Sequence, residues 1–376
     1  MAEKYDLITN ALVWSGSDGQ YYAKSGMTGK TLYNGTSFGT AWSRATGSLN
    51  PARVSPETIT TIGIMSVDIP AYTPTNLNLE IYGNWIAKTG LNNSMIKNAN
   101  PTTNNYNVSV MGHNAILQGN ASGQTSNGYG IEFKNDTTPP DFYANNYINR
   151  FNYRVKDLLV QNTRNTCVFV DHSGPTDNGT STTTSLEDVS TWNPNTSVPS
   201  LYMKQSPDSR IIGGTFDGNT GGATYAIEFE SMAFGEFKIN YTNGPIHLLT
   251  VRGCTFSVNT ADIGTDEHGW ILEGVWDSVF SNSYFVIHGN GAANTYDAIR
   301  LSTAWSTYPS TDNVFSGIWI GRAWDAAGTR TYRYGINETD SDQDYNTYSG
   351  INGRDCATSA INISGANSKT GSSIQW

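Results

Sequence analysis

The stretch YAIEFES, Tyr225–Ser231, decides how the rest of the chain is read. As a strand it places Ile227 and Phe229 on one face and Glu228 and Glu230 on the other. Relatives of it recur as YGIEFKN (129–135), TCVFVDH (166–172), HGWILEG (268–274), YDAIRLS (296–302), YGINETD (334–340) and SAINISG (359–365). A second piece accompanies most of them: SRIIGGTFDGN (209–219), LTVRGCTFSVN (249–259), DSVFSNSYFVI (277–287), DNVFSGIWIGR (312–322) and YNTYSGINGRD (345–355). Two short strands around a Gly or Asn cannot bury their apolar side alone. Repeated along a chain, they stack into a solenoid.

Composition agrees with that reading. Of the 376 residues only 14% are charged, while 10 Trp, 21 Tyr and 13 Phe make the chain too aromatic for disorder. Abundant Gly, Asn, Ser and Thr compete with helix and favour turns. A net charge of −10 lacks the basic footprint that nucleic acid or an anionic membrane surface requires, so neither is expected as a partner. Cys167, Cys254 and Cys356 are odd in number and show no metal spacing, which excludes a disulfide framework as the fold's basis. The opening MAEKYDLITN has no apolar core of a signal sequence, and no apolar run is long enough to span a bilayer. P-loop, dinucleotide, Gly-x-Ser-x-Gly, His-Glu-x-x-His and Cys-x-x-Cys motifs are all missing.

GGTFDGN (213–219) resembles a coil signature of the pectate-lyase-like and tailspike-like superfamily, Gly-Thr-Ile/Phe-Asp-Gly. The opening, from YDLI to GQYYAKSGMTGKTLYNGT (5–36), is similar to the entry segment of some viral or archaeal members. The resemblance implies an all-β chain, a single-stranded right-handed parallel β-helix of about eight coils. Residues 1–60 would form an N-terminal cap, with SFGTAWSRATGSL (37–49) as a short helix, and 61–376 the solenoid. The Asn/Ser/Thr/Pro-rich run 172–200 is expected to be one large surface loop.

Stacking the strands in register gives a map of the outer face, with equivalent residues about 4.8 Å apart. One column would hold Glu132, Phe169, Glu228, Ile271, Arg300, Asn337 and Asn362. Its neighbour would hold Lys134, Asp171, Glu230, Glu273, Ser302, Thr339 and Ser364. Asp171, Glu230 and Glu273 would then lie on three successive coils. Stacked carboxylates repel unless a ligand or proton relieves them, which splits their proton affinities into an acid and a base. Glycoside hydrolysis uses such a pair, about 5 Å apart for retention and roughly 6.5–9.5 Å for inversion.

The map therefore predicts a glycoside hydrolase or depolymerase in which Glu230 and Glu273 act as acid and nucleophile or base, with Asp171 as alternative base. Glu228, Glu132 and Arg300 would orient sugar hydroxyls, His268 would stand at the rim, and Trp192 and Trp305 would stack on sugar rings. A purely solvated sheet face is the competing reading of the same residues. The expected partner is a polysaccharide or surface glycan, at an extracellular or virion surface, with a homotrimer compatible with such a spike. The rival reading is a non-catalytic glycan-binding adhesin or structural fibre.

Two further motifs bear on function. Polygalacturonases of the superfamily carry Asn-Thr-Asp, Asp-Asp, Gly-His-Gly and Arg-Ile-Lys on successive coils. Here Asn259-Thr260-Ala261-Asp262 and Asp266-Glu267-His268-Gly269 fall in what reads as one loop, with no Arg-Ile-Lys, so those roles do not carry over. ETDSDQDYN (338–346) begins like a calcium loop but lacks its glycine and closing Glu, so the expectation is an acidic turn and no cofactor, with a calcium site of another type as the alternative. A lyase is disfavoured, since an acidic face repels uronic acids.

Overall fold

The computed structural model describes residues 9–98, 105–125, 128–134, 150–172, 181–192, 194, 197–218, 224–263, 267–287, 295–304, 306–322 and 332–371. They divide into two compact units, Met1–Val189 and Ser190–Trp376. Both are parallel β-helices, built because each short strand pairs in parallel with the equivalent strand of the next coil.

In the first unit Ala11–Ser15, Tyr21–Ser25 and Thr31–Gly35 form an antiparallel meander. Ala11–Ser15 then pairs in parallel with Glu57–Ile62, which passes the ladder to Leu77–Tyr82 and Asn105–Gln118. A helix, Phe38–Gly47, buries Phe38, Ala41, Trp42 and Ala45, the i, i+3, i+4, i+7 stripe of an amphipathic helix. Phe38 and Trp42 meet Trp85 edge-on, with ring centroids 5.0 and 6.1 Å away. Ser37 caps the helix by accepting from the Thr40 amide at 3.1 Å. Ser37→Ala is expected to cost about 1 kcal/mol in urea unfolding; no change would mean the cap is replaced by water.

The second ladder of this unit contains Ala71–Thr73, Ile96–Asn98, Ile131–Lys134 and Val168–Asp171. The run expected as a large loop instead contains a strand, Ser181–Trp192, with Thr184, Leu186 and Val189 buried. Its Ser and Thr residues look like loop in composition. β-Branched Thr in alternation with Leu and Val fits a pleated surface equally well.

In the second unit one ladder runs through Leu201–Lys204, Ile227–Glu230, Ile246–Arg252, Trp270–Trp276, Ile299–Ser302, Tyr334–Glu338 and Ser359–Asn362. Leu201–Lys204 and Ile246–Arg252 are extra rungs between strands that the sequence repeat makes neighbours. The core is an aromatic column: Phe237, Phe256, Phe280, Phe315 and Tyr348 are paired in register. Their rings stack with centroids 4.9, 5.0, 4.8 and 5.1 Å apart, the spacing of the strands that carry them.

Each coil turns the same way. Asp208, Phe234, Gly253, Asp277, Asp312 and Tyr345 all take left-handed backbone angles, with φ between 53° and 62°. The amide of each of the first five bonds a carbonyl of the following coil. Asp and Gly tolerate that conformation, whereas Phe234 and Tyr345 are bulky residues held there by the pairing around them.

Cys167 and Cys254 are buried free thiols, and Cys356 is free and partly buried. Burial pushes the Cys254 thiol up to about 11, so it is a packing residue rather than a nucleophile. No helix among the described residues is long and apolar enough to cross a membrane.

Candidate functional site

The outward face of the second unit's ladder carries the charged residues that sequence reasoning grouped, but in a different order. One column reads Tyr202, Glu228, His247, Ile271, Arg300, Asn337, Asn362. Beside it run Lys204, Glu230, Leu249, Glu273 and Ser302. The neighbours of Glu230 are thus Lys204 and Leu249, neither Asp171 nor Glu273. Glu230 and Glu273 lie two rungs apart, roughly 10 Å by strand spacing, so the adjacent retaining pair is corrected. The cause is the extra rung Ile246–Arg252, which inserts His247 and Leu249.

His247 is the residue that sequence reasoning missed. Its Nδ1 donates to Glu228 Oε1 at 3.2 Å and its Nε2 to Glu273 Oε2 at 2.9 Å. Burial opposes charge on the ring, but hydrogen bonds and charges from the two glutamates outweigh it and hold the imidazolium up to about 9. At neutral pH the ring is a cation clamped between two carboxylates. Ser302 Oγ completes the row, donating to the other oxygen of Glu273 at 2.8 Å. Tyr225 covers His247, its ring centroid 4.8 Å away. Burial and the nearby Glu228, Glu273 and Glu267 push the Tyr225 phenol up to about 12, so it stays protonated.

Accessibility sorts the glutamates. The Glu273 side chain is 1% exposed, whereas Glu228 keeps 20% and Glu230 26%. A polymer in solution reaches the latter two and not the first. Glu230 is held by Lys204 Nζ at 2.7 Å and the Tyr202 hydroxyl at 2.5 Å. Glu228 and Glu230, two residues apart on one strand, present carboxyl groups from positions roughly 7 Å apart.

A second network lies beyond Ile271. Asp297 is fully buried, and Arg333 grips it with two bonds of 3.0 and 2.8 Å while Asn337 donates at 2.8 Å. His268 Nδ1 accepts from the Asp297 amide at 2.9 Å, and Arg300 Nη1 stands 2.9 Å from His268 Nε2. Burial lowers the His268 ring to about 4, overriding the pull of Asp297 and helped by Arg300 and Arg333. It is neutral at physiological pH.

The remaining expected site residues are placed elsewhere or engaged locally. Asp171 ends a strand of the first unit, paired in register with Lys134. Glu132, also in the first unit, is 7% exposed, accepts from Ser94 Oγ and pairs with Lys97 Nζ at 3.1 Å. Trp192 is 51% exposed but follows Thr191, which pairs with Phe216 of the other ladder. Trp305 lies outside the described residues. Asn259 to Asp262 belong to the strand Thr255–Ile263 rather than to a loop, and Asp262 accepts from the Tyr241 hydroxyl at 2.8 Å. In the acidic turn Asp340 takes Gln343 and the Asp342 amide, and Asp344 takes Asn367 twice. Among the described residues no group of three or more His, Cys, Asp or Glu is arranged to hold a metal ion.

Comparison with known proteins bears on the fold. No protein-family model matches the chain, and no curated protein matches it in sequence. Among solved structures the chain is similar to the A-module of the Azotobacter vinelandii mannuronan C-5 epimerase AlgE6. That match has 12% identity and a TM-score of 0.51, over 85% of this chain and 91% of that one. The AlgE4 A-module of the same organism matches at 12% identity and a TM-score of 0.47, over 84% and 91%. A tailspike protein of the Escherichia coli O157:H7 bacteriophage CAB120 matches at 12% and 0.39, over 78% of this chain and 36% of its own. The first likeness defines the class: a parallel β-helix, as the repeat in the sequence implies.

Proposed function

We propose that the chain processes a polysaccharide, and that its reaction is hydrolysis of a glycosidic bond at Glu228 and Glu230. The observation that carries this is the accessible pair itself: two carboxyl groups on one strand, each backed by a different cation. The strand positions that bear them lie roughly 7 Å apart, compatible with the roughly 6.5–9.5 Å carboxyl separation that leaves room for an attacking water. The His247 cation, 3.2 Å from Glu228, positions that carboxylate as the base that activates the water. Glu230, held by Lys204 at 2.7 Å and the more exposed of the two, takes the acid role. Glu273 and Ser302 then brace His247 from behind and do not meet the substrate.

The epimerase module that shares the fold acts, by its name, on mannuronan, which supports a polysaccharide as the class of substrate. An extracellular or virion-surface setting belongs with that reading, since polymeric glycans are met there. Both Glu230 oxygens already have protein partners, which is the observation that favours a non-catalytic glycan-binding role instead.

Reducing-end release from neutral and acidic polysaccharides separates the two. Glu228→Gln and Glu230→Gln should each lower the rate about 100-fold or more at unchanged unfolding midpoint. Release that survives both changes would rule out this pair. Binding without release by the wild type would leave the adhesin reading in possession.

A further inference from the structure

The outer face is not the acidic surface that its glutamates suggest. Glu228 and Glu273 share His247, Glu230 has Lys204, and Asp297 has Arg333. Arg300 is the exception. Among the described residues no carboxylate lies within ion-pair distance of it, and its Nε is buried with no hydrogen-bond partner. Among the described residues its one hydrogen-bond contact is Nη1 to His268 Nε2 at 2.9 Å.

That contact does not compensate the charge. His268 Nδ1 already accepts from the Asp297 amide, so a neutral ring carries its own proton on Nε2, facing the guanidinium. The two groups then oppose each other as donors. The remaining candidates nearby are taken: Asn337 gives its amide to Asp297 and its oxygen to Asn362, and Ser302 gives its hydroxyl to Glu273. Arg300 is only partly buried, and with no counter-charge among the described residues its guanidinium can offer its terminal N–H groups to a planar oxyanion. It stands in the same column as Glu228, separated by His247 and Ile271.

We propose that Arg300 is the docking point for an oxyanion carried by the glycan, a sugar carboxylate or sulfate, with His268 lining it. This rests on the polysaccharide reading and adds that the substrate is acidic at one position along the chain. It reverses the expectation that an acidic face would repel such sugars. An anion seated on Arg300 also gives His268 Nε2–H an acceptor, relieving the donor clash.

The test uses monosaccharide probes, so that binding is read without turnover. The His268 ring is followed by NMR through a pH titration, alone and with D-glucuronate, glucose 6-sulfate or D-glucose. Both anions, or whichever of the two the site selects, should raise the His268 midpoint by neutralising Arg300, while glucose leaves it unmoved. Asp297, Arg333 and Tyr296 also face that ring and are unchanged by the probe. Arg300→Gln should weaken the effective anion about tenfold or more. Arg300→Lys keeps the charge without the fork and should bind at an intermediate level, which separates a lost site from a misfolded variant. A His268 titration indifferent to both anions overturns the proposal. Polysaccharide cleavage with no anion effect sinks this inference alone, and anion binding without any cleavage sinks only the hydrolytic reading.

Discussion

Stability is expected to fall on both sides of neutrality, by about 5 kcal/mol in acid from His172 and about 3 kcal/mol in alkali from His247. The acid limb belongs to His172 in the first unit. Its side chain is buried, stacks on Tyr153 at 5.2 Å, and among the described residues neither ring nitrogen has a hydrogen-bond partner. Burial alone lowers its midpoint to about 3. The unfolded ring takes up a proton below about pH 6.5 and the folded one does not until about 3, so folding is progressively disfavoured across that window. His268 in the second unit, lowered to about 4, adds in the same direction.

The alkaline limb has the opposite sign because His247 is raised, to about 9. Its contribution is complete below pH 6.5 and lost as pH rises through 9, when the imidazolium no longer holds Glu228 and Glu273 together. Cys254 and Tyr225 titrate higher, at about 11 and about 12, and leave that window clear. Unfolding free energies measured by urea from pH 3 to pH 10 check both limbs at once. His172→Phe should flatten the acid side and His247→Gln the alkaline side. An unchanged alkaline slope in His247→Gln would show that the clamp is not charged in the folded protein.

The order of the columns explains what the sequence could and could not reveal. Strands such as Ile227–Glu230 and Ile299–Ser302 alternate cleanly, so their inward and outward residues were readable, and Arg300, Asn337 and Asn362 do stack as expected. Ile246–Arg252 does not alternate: IHLLTVR is apolar at four positions and merges into the next piece, which hid a whole rung. The signal was present in the spacing. Glu230 and Glu273 are 43 residues apart, too long for one coil of roughly 20–30 residues and ample for two. Leu201–Lys204 was hidden for a different reason, lying beside a Ser/Thr-rich run that composition assigns to loop. Three carboxylates of the map have partners that only the true register brings near: His247 for Glu228 and Glu273, and Lys204 for Glu230. Pairings across coils depend on register, and a missed rung changes all of them.

Replacing Glu338 with Ala is expected to cost on the order of 4 kcal/mol, and to free the last coil before the rest of the unit. Glu338 is fully buried at the end of the strand Tyr334–Glu338. Tyr348 and Ser368 hydroxyls donate to Oε1 at 2.7 Å each and the Asn346 amide at 3.2 Å. The backbone amides of Ser364 and Gly365 donate to Oε2 at 2.8 Å each. Five donors thus converge on one carboxylate, and three of them come from the segment after the final strand of this ladder. Asn346 belongs to a second chain of bonds: Ser278 N to Asn313 Oδ1 at 3.1 Å, Asn313 N to Asn346 Oδ1 at 3.1 Å, and Asn346 N to Ser368 Oγ at 3.2 Å. Glu338 is where that side-chain ladder ends, so removing it leaves buried donors unmatched on two coils. Glu338→Gln should cost less, because one oxygen still accepts, but its amide meets donors on the other side and cannot restore the set. Urea unfolding ranks the variants, and amide exchange locates the damage. Exchange that accelerates across 359–371 at small global cost supports the pin, while wild-type exchange rates there would show that water replaces the carboxylate.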